Sequence, residues 1–163
     1  MKAVQFYRSE IANNDGTTFE DILAYSYGAL EVDHSYIQWL FPLYEPSCFN
    51  VLAPVLTTEE QILFSTDPFL RDRVEKAFHK MLDFYGLQYS DEVVSWQVPG
   101  KHENPQWWLE FFNHNMLRIT RILMSLRLLG RTDLCMALYK LLLTVRNRVT
   151  QNTWDYWNDA ALN

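Results

Sequence analysis

The chain has 163 residues, a length that fits one domain, which we assign to residues 1–163. Its formal net charge of −6 argues against general nucleic-acid binding, because nucleic-acid binders neutralise phosphates with an excess of Lys and Arg. Cys48 and Cys135 form no C-x-x-C pair, so we expect two reduced thiols and neither a metal site nor a cofactor.

No signal-peptide h-region follows Met1, and no apolar run approaches the ~20 residues that a membrane span needs. We therefore expect an intracellular protein, in the cytoplasm or the nucleus, without a transmembrane segment. The oligomeric state is left open by the sequence.

The first part of the chain predicts short helices separated by turns. A helix is expected over residues 3–11, followed by the turn cluster at residues 13–16 and a second helix over residues 18–27. Thr17 and Glu20 have the spacing of a capping box at the start of this second helix.

The mostly apolar segment at residues 30–43 predicts a short buried helix that ends by Phe41. Asp33 is its expected N-cap, and Pro42 forces its end. Two polar residues interrupt this apolar element, His34 and Gln38, and their spacing of four places them on one helical face.

Capping signals mark two further helices. Thr57 and Glu60 again have capping-box spacing, and Asp67 precedes a proline at the first helical position, Pro68. This last helix is expected to end at Gly86. Residues 87–104 show no strand-like alternation and are expected to be irregular.

A long helix is predicted from residues 104–105 to Gly130, with one apolar face formed by Leu109, Phe112, Met116, Ile119, Leu123 and Leu126. Further apolar residues cover most of its circumference, which is typical of a buried central helix. Its polar stripe consists of His114, Arg118, Arg121 and Ser125. Two shorter helices follow, from residues 132–133 and 152–153. The pattern predicts an all-α fold, a single compact domain of roughly seven to eight helices.

Two of these helices resemble the signatures of a known family. Residues 33–43, DHSYIQWLFPL, are similar to the H-x-Y-I-Q-W-L-F-P-L signature of the opioid growth factor receptor conserved domain. Residues 113–123, NHNMLRITRIL, are similar to its second signature, H-N-x-L-R-I-T-R-I-L. Weaker matches at residues 56–57 and 81–86 lie between them in the same order, so the resemblance covers residues 6–130.

The resemblance implies an all-helical domain with signalling receptor activity. Vertebrate members of the family are described as receptors for the pentapeptide methionine-enkephalin, which act at the nucleus and nuclear envelope and restrain cell proliferation. The resemblance therefore implies that this chain binds a short, enkephalin-like peptide.

The residues themselves point to a polar pocket between the two signature helices, if these pack together. Arg118 and Arg121 lie three apart on one helical face, so two guanidinium groups can grip one carboxylate or phosphate. The predicted ligand-binding residues are His34, Gln38, Trp39, His114, Arg118 and Arg121. We expect this pocket to bind a short peptide or a small anion without catalysis.

Three alternatives remain. The arginines can pair with helix carboxylates in a network that organises the core and binds nothing. A hydrolase using His34 and His114 is the enzymatic alternative, although no G-x-S-x-G, P-loop or H-E-x-x-H motif occurs. A helical scaffold that self-associates through the aromatic residues at 107–108 or 154–157 is the third.

Overall fold

The computed structural model describes residues 1–110 and 113–163. Over these residues it contains nine α-helices, two 3-10 helices (Trp107–Leu109 and Arg146–Arg148) and one two-stranded sheet, which confirms a roughly all-α fold. The helices are α1 (Lys2–Tyr7), α2 (Phe19–Leu23), α3 (Tyr27–Val32), α4 (Ile37–Leu40), α5 (Thr58–Thr66), α6 (Pro68–Phe84), α7 (Asn115–Leu128), α8 (Thr132–Thr144) and α9 (Gln151–Leu162).

The chain divides into two compact units. Unit 1 comprises residues 1–77 and 128–130, and unit 2 comprises residues 78–127 and 131–163. The division falls within α6 and near the end of α7. No helix among the described residues combines the length and the apolarity that crossing a membrane requires.

Unit 1 has an aromatic core. The Tyr7 ring lies 4.9 Å from the rings of both Phe19 and Phe64, and the Phe6 ring lies 5.1 Å from that of Trp39. The wholly buried carboxylate of Glu60 accepts a 2.9 Å hydrogen bond from the backbone N–H of Ala3, which fixes the start of α1 to α5. Short helices are stable here because aromatic burial compensates for their length.

Two predicted helix starts in unit 1 are confirmed. The Thr57 hydroxyl accepts from the backbone N–H of Glu60, whose carboxylate accepts in turn from the backbone N–H of Thr57. α6 begins at Pro68, and Oδ1 of Asp67 accepts from the backbone N–H of Phe69. At α2 the predicted capping box is wrong by one residue, because Thr18 and Asp21 form it.

The region before α4 also differs from the prediction. The predicted helix over residues 18–27 ends early, because α2 stops at Leu23 and a separate helix, α3, begins at Tyr27. Asp33 ends α3 instead of starting α4, and its Oδ1 accepts from the backbone N–H of Ser35. α4 therefore begins only at Ile37, and the predicted helical face shared by His34 and Gln38 is not formed. The predicted burial of α4 and its end before Pro42 are confirmed.

Unit 2 contains a β-hairpin where we expected irregular chain. Strands β1 (Leu87–Ser90) and β2 (Val93–Trp96) pair antiparallel, with Leu87 opposite Trp96. The connecting residues, Asp91 and Glu92, have φ angles of 52° and 64°. These are the left-handed conformations that a two-residue hairpin turn with right-handed twist requires.

The helix α7 begins later than predicted, at Asn115, and Trp107–Leu109 form a separate 3-10 helix. Phe112 of the predicted apolar face lies outside the described residues. The fully buried residues lie on one side of α7, and Leu117 on another side is 60% exposed, so the expected burial over most of the circumference is not observed. In unit 2 the indole N–H of Trp157 donates to the carbonyl oxygen of Met116, which joins α9 to α7.

Candidate functional site

Five buried side-chain atoms have no hydrogen-bond partner among the residues that the structure describes. They are Nδ2 of Asn13, Oε1 of Gln38, Nε1 of Trp39, Oε1 of Gln97 and Nε of Arg121. Because buried polar atoms in folded proteins are nearly always bonded, these five atoms are exceptions, and each is shielded from solvent. Three of the five belong to predicted site residues, namely Gln38, Trp39 and Arg121.

Arg121 lies on α7 at the margin of its buried side. Its side chain is half-buried, and Nε is fully shielded from solvent. Burial lowers the pKa of Arg121 to about 10, because a low dielectric disfavours the charged form. Burial is the only cause of this shift, so within the described residues no carboxylate offsets it. The ion pair considered as an alternative for Arg121 is therefore not formed there.

Arg118, one turn earlier on α7, is held by the protein itself. Its side chain is buried, and Nη1 donates a 3.3 Å hydrogen bond to Oδ1 of Asn115. The same oxygen accepts a 3.1 Å bond from the hydroxyl of Tyr85. Arg118 is thus part of a buried polar cluster, which gives its guanidinium group a fixed position.

The polar cluster around Asn115 was missed by the sequence analysis. Asn115 is wholly buried at the first residue of α7, where asparagine is ordinarily taken as a capping residue. A helical projection from residue 115 onward places it beside Ile119 and Ile122 on the buried side. A polar residue in that position was the available signal.

His114 lies immediately before α7 and is half-buried. Its Nε2 is 3.4 Å from Nδ2 of Asn115, and Nδ2 also donates to Oδ1 of Asn113 at 2.8 Å. The amide group of Asn115 therefore has Arg118 and Tyr85 at its oxygen and His114 at its nitrogen. His114 is connected to the same cluster as Arg118.

In unit 1, Gln38 and Trp39 are consecutive buried residues of α4. The Trp39 ring packs against Phe6, and Nζ of Lys2 lies 5.2 Å from the ring centroid. Gln38 contributes an unpartnered acceptor and Trp39 an unpartnered donor. An acceptor and a donor together complement the N–H and C=O groups of a peptide. His34, four residues before Gln38, is exposed.

The predicted site residues fall into two groups. Unit 1 contains His34, Gln38 and Trp39, and unit 2 contains His114, Arg118 and Arg121. Within unit 2, His114 and Arg118 are joined through Asn115. That the two groups form one pocket stays a prediction.

The aromatic residues considered for a scaffold belong largely to the core of unit 2. The indole N–H of Trp108 donates to the carbonyl oxygen of Tyr85, and Trp108 and Trp157 are wholly buried. Tyr156 is 53% exposed. No group of three or more His, Cys, Asp or Glu side chains in the described ranges is placed to hold a metal ion.

Comparison with known proteins identifies a family. Residues 1–163 match the model of the opioid growth factor receptor conserved region. The mouse opioid growth factor receptor is 42% identical over 135 residues, which cover 80% of this chain and 21% of that protein. The human opioid growth factor receptor is 42% identical over 134 residues, covering 78% of this chain and 19% of that protein.

A second group of relatives matches over nearly the whole chain. The rat opioid growth factor receptor-like protein 1 is 37% identical over 172 aligned residues, which cover 99% of this chain and 35% of that protein. The chain thus spans about a fifth to a third of the length of these curated relatives. No solved structure matches it.

Proposed function

We propose, from the premise that this chain belongs to the opioid growth factor receptor family, that it binds a short peptide or another small ligand with an anionic end. The relatives' names describe a receptor for a growth factor, and this chain corresponds to one part of those proteins. The observation that supports ligand binding most directly is the buried Nε atom of Arg121, which has no acceptor among the described residues.

Arg121 is the residue that would hold the anionic end. A guanidinium group presents parallel N–H donors that match the two oxygens of a carboxylate. Its partial burial strengthens such a contact, because solvent screens it less than at an exposed site. Arg118 and His114 belong to the Asn115 cluster; Arg118 would contribute positive charge along the same stripe of α7, and His114 would contribute orientation.

In unit 1, Gln38 and Trp39 would form a second contact for a peptide group, proposed independently of the Arg121 contact in unit 2. Oε1 of Gln38 can accept from a ligand N–H, and Nε1 of Trp39 can donate to a ligand carbonyl. Burial makes each unsatisfied atom costly, so a ligand that satisfies both gains more than it would from exposed groups. His34 is assigned an orienting role at the exposed segment before α4.

The experiment that tests this proposal uses methionine-enkephalin as the free acid and as the C-terminal amide. Isothermal titration calorimetry should detect the free acid, and amidation should weaken binding about 10–100-fold, the value of a charge-assisted hydrogen bond. Arg121→Gln should weaken binding of the free acid by a similar factor. The substitution should have little effect on binding of the amide, because amidation and the substitution remove the same contact.

The matched control is Arg148→Gln, which makes the same substitution at an exposed position. This variant should bind the free acid as the wild type does. Equal affinity of the acid and the amide, or an Arg121→Gln protein with wild-type affinity, would contradict the assignment of Arg121. Absence of saturable binding both of the peptide and of acetate would contradict the proposed function as a whole.

We also propose that the protein acts inside the cell. Both cysteines are unpaired, and Cys48 is exposed, as expected for a reducing compartment. Fractionation of cells producing the tagged chain should recover it in the cytoplasmic or nuclear fraction. Recovery from the medium would contradict this placement.

A further inference from the structure

Unit 1 exposes several large apolar side chains on one loop, residues 44–55, which we call the apolar loop. Its ends lie side by side, because the backbone N–H of Leu56 donates to the carbonyl oxygen of Leu43 at 2.8 Å. Its most exposed large apolar side chains are Tyr44 at 53%, Leu52 at 59%, Val51 at 77% and Phe49 at 86%. Exposed apolar residues that occur together, unlike scattered single ones, mark a surface that contacts another molecule or a membrane.

Hydrogen bonds fix the tip of the apolar loop. The hydroxyl oxygen of Ser47 accepts from the backbone N–H groups of Phe49 at 3.2 Å and Asn50 at 3.3 Å. The carbonyl oxygen of Leu52 accepts from Nζ of Lys2 at 2.7 Å. Hydrocarbon offers no partner to backbone polar groups, so these internal bonds lower the cost of moving the tip out of water. The tip therefore presents its apolar side chains on a backbone that is already partly satisfied.

The charges around the apolar loop indicate what kind of surface it fits. Residues 46–58 contain no Asp, Glu, Lys, Arg or His, and this run is flanked by Glu45 and Glu59, which are both exposed. Lys2 is the one cation that the hydrogen bonds of the described residues place on the loop. Anionic membranes attract segments with several Lys or Arg residues, and this loop has no such excess. An uncharged apolar tip fits a lipid surface without net charge.

We propose that the apolar loop inserts into the surface of a zwitterionic phosphatidylcholine bilayer. Phe49, Val51 and Leu52 enter the boundary between the headgroups and the hydrocarbon, and the Tyr44 ring, with its polar hydroxyl, lies at headgroup level. The contact is shallow and reversible, because a few side chains bury far less apolar area than a spanning helix. It involves residues of unit 1 alone and does not depend on the Arg121 site.

The test is flotation of the whole chain with vesicles of dioleoylphosphatidylcholine over a series of lipid concentrations. The bound fraction should rise with lipid concentration to a plateau. It should change little when the salt concentration is raised, because salt screens attraction between charges and leaves apolar insertion intact. Absence of bound protein at the highest lipid concentration would overturn the proposal. Binding that requires anionic lipid and disappears at high salt would also overturn it.

Phe49→Ser tests whether the loop makes the contact. This substitution should weaken partitioning into the vesicles about tenfold, the order expected when one large apolar side chain is no longer removed from water. The matched control is Phe69→Ser, which makes the same substitution at a 51% exposed position of α6, outside the loop. The control should bind as the wild type does. Equal weakening by both variants would overturn the assignment to the loop.

Cys48 allows a second, direct measurement. Its thiol is free and exposed beside Phe49, whereas Cys135 is buried, so a thiol-reactive environment-sensitive dye labels the loop selectively. Dye emission should shift to shorter wavelengths when vesicles are added, and an unchanged spectrum would overturn insertion. A shift that instead follows protein concentration without lipid, and that Phe49→Ser abolishes, would assign the loop to contact with a second copy of the chain and overturn the lipid proposal.

Discussion

The hydroxyl of Tyr85 donates a 3.1 Å hydrogen bond to Oδ1 of Asn115, and both side chains are buried. The bond joins the segment immediately after α6 to the first residue of α7. Since Nη1 of Arg118 donates to the same oxygen, the position of this arginine depends on Asn115. The two arginines of the α7 stripe thus differ: Arg118 donates to Asn115, and Nε of Arg121 has no acceptor among the described residues.

The first prediction concerns this cluster. Asn115→Ala removes an acceptor used by two buried donors and should lower the free energy of unfolding by about 2 kcal/mol or more. Tyr85→Phe removes one of the two bonds and should cost about 1 kcal/mol. Urea denaturation measures both changes. Asn152→Ala, at an exposed position of α9, is the control and should stay within about 0.5 kcal/mol of the wild type. An Asn115→Ala protein of wild-type stability would contradict this role.

The second prediction separates the two arginines by their effects on stability. Arg121→Met removes a partly buried charge that no described carboxylate balances, so stability should be unchanged or about 1 kcal/mol higher. Arg118→Met should lower stability by about 2 kcal/mol, because its hydrogen bond to Asn115 is lost. Urea denaturation of both variants decides the matter. A larger loss for Arg121→Met than for Arg118→Met would show that Arg121 is structural.

Much of the helical framework could be predicted because its signals are local. Thr57 with Glu60, and Asp67 with Pro68, mark helix starts through contacts within a few residues, and the structure forms them. The hairpin was not predictable in this way. Each of its strands has four residues, too few for a clear alternation, and its turn, Asp91 and Glu92, lacks the glycine that ordinarily signals a left-handed conformation.

The candidate site was predictable to the extent that polar residues interrupt apolar helices. Gln38 and Arg121 were identified on that basis, and both have an unpartnered buried atom. Gln97 and Asn115 were not identified. Both side chains are buried, and both make hydrogen bonds there. Gln97 donates to Asp83 and Leu87, and Asn115 accepts from Tyr85. Such pairings between distant residues leave no periodic signal in the sequence.

The third prediction uses two glycines with similar backbone conformations. Gly86 has a φ of +72°, and a Cβ atom there would lie 2.5 Å from Cβ of Pro105. Gly16 has a φ of +78°, with no atom within 4 Å of such a Cβ. Gly16→Ala should therefore cost only the backbone strain, about 1 kcal/mol, and Gly86→Ala a further 1–3 kcal/mol, approximately, for the steric clash. Thermal denaturation of the two variants gives the comparison. Equal losses would show that the loop at Pro105 yields without cost.

The last prediction concerns acid stability in unit 1. Nη1 of Arg73 contacts Oε1 of Glu20 at 2.5 Å, and this hydrogen bond, together with one from the Ser9 hydroxyl, lowers the pKa of Glu20. A carboxyl group whose pKa is lower in the folded than in the unfolded state stabilises the fold above its unfolded pKa of about 4.3. That contribution is lost as the pH falls through the folded value. Because the Glu20 side chain is 54% exposed, the contribution should be only about 0.5 kcal/mol.

Glu20→Gln should therefore lower the melting temperature slightly at pH 7 and lose less stability than the wild type on acidification below the unfolded pKa. Glu10→Gln, at an exposed position, is the matched control. A Glu20→Gln protein with the wild-type pH profile would show that the Arg73 contact contributes nothing to folding.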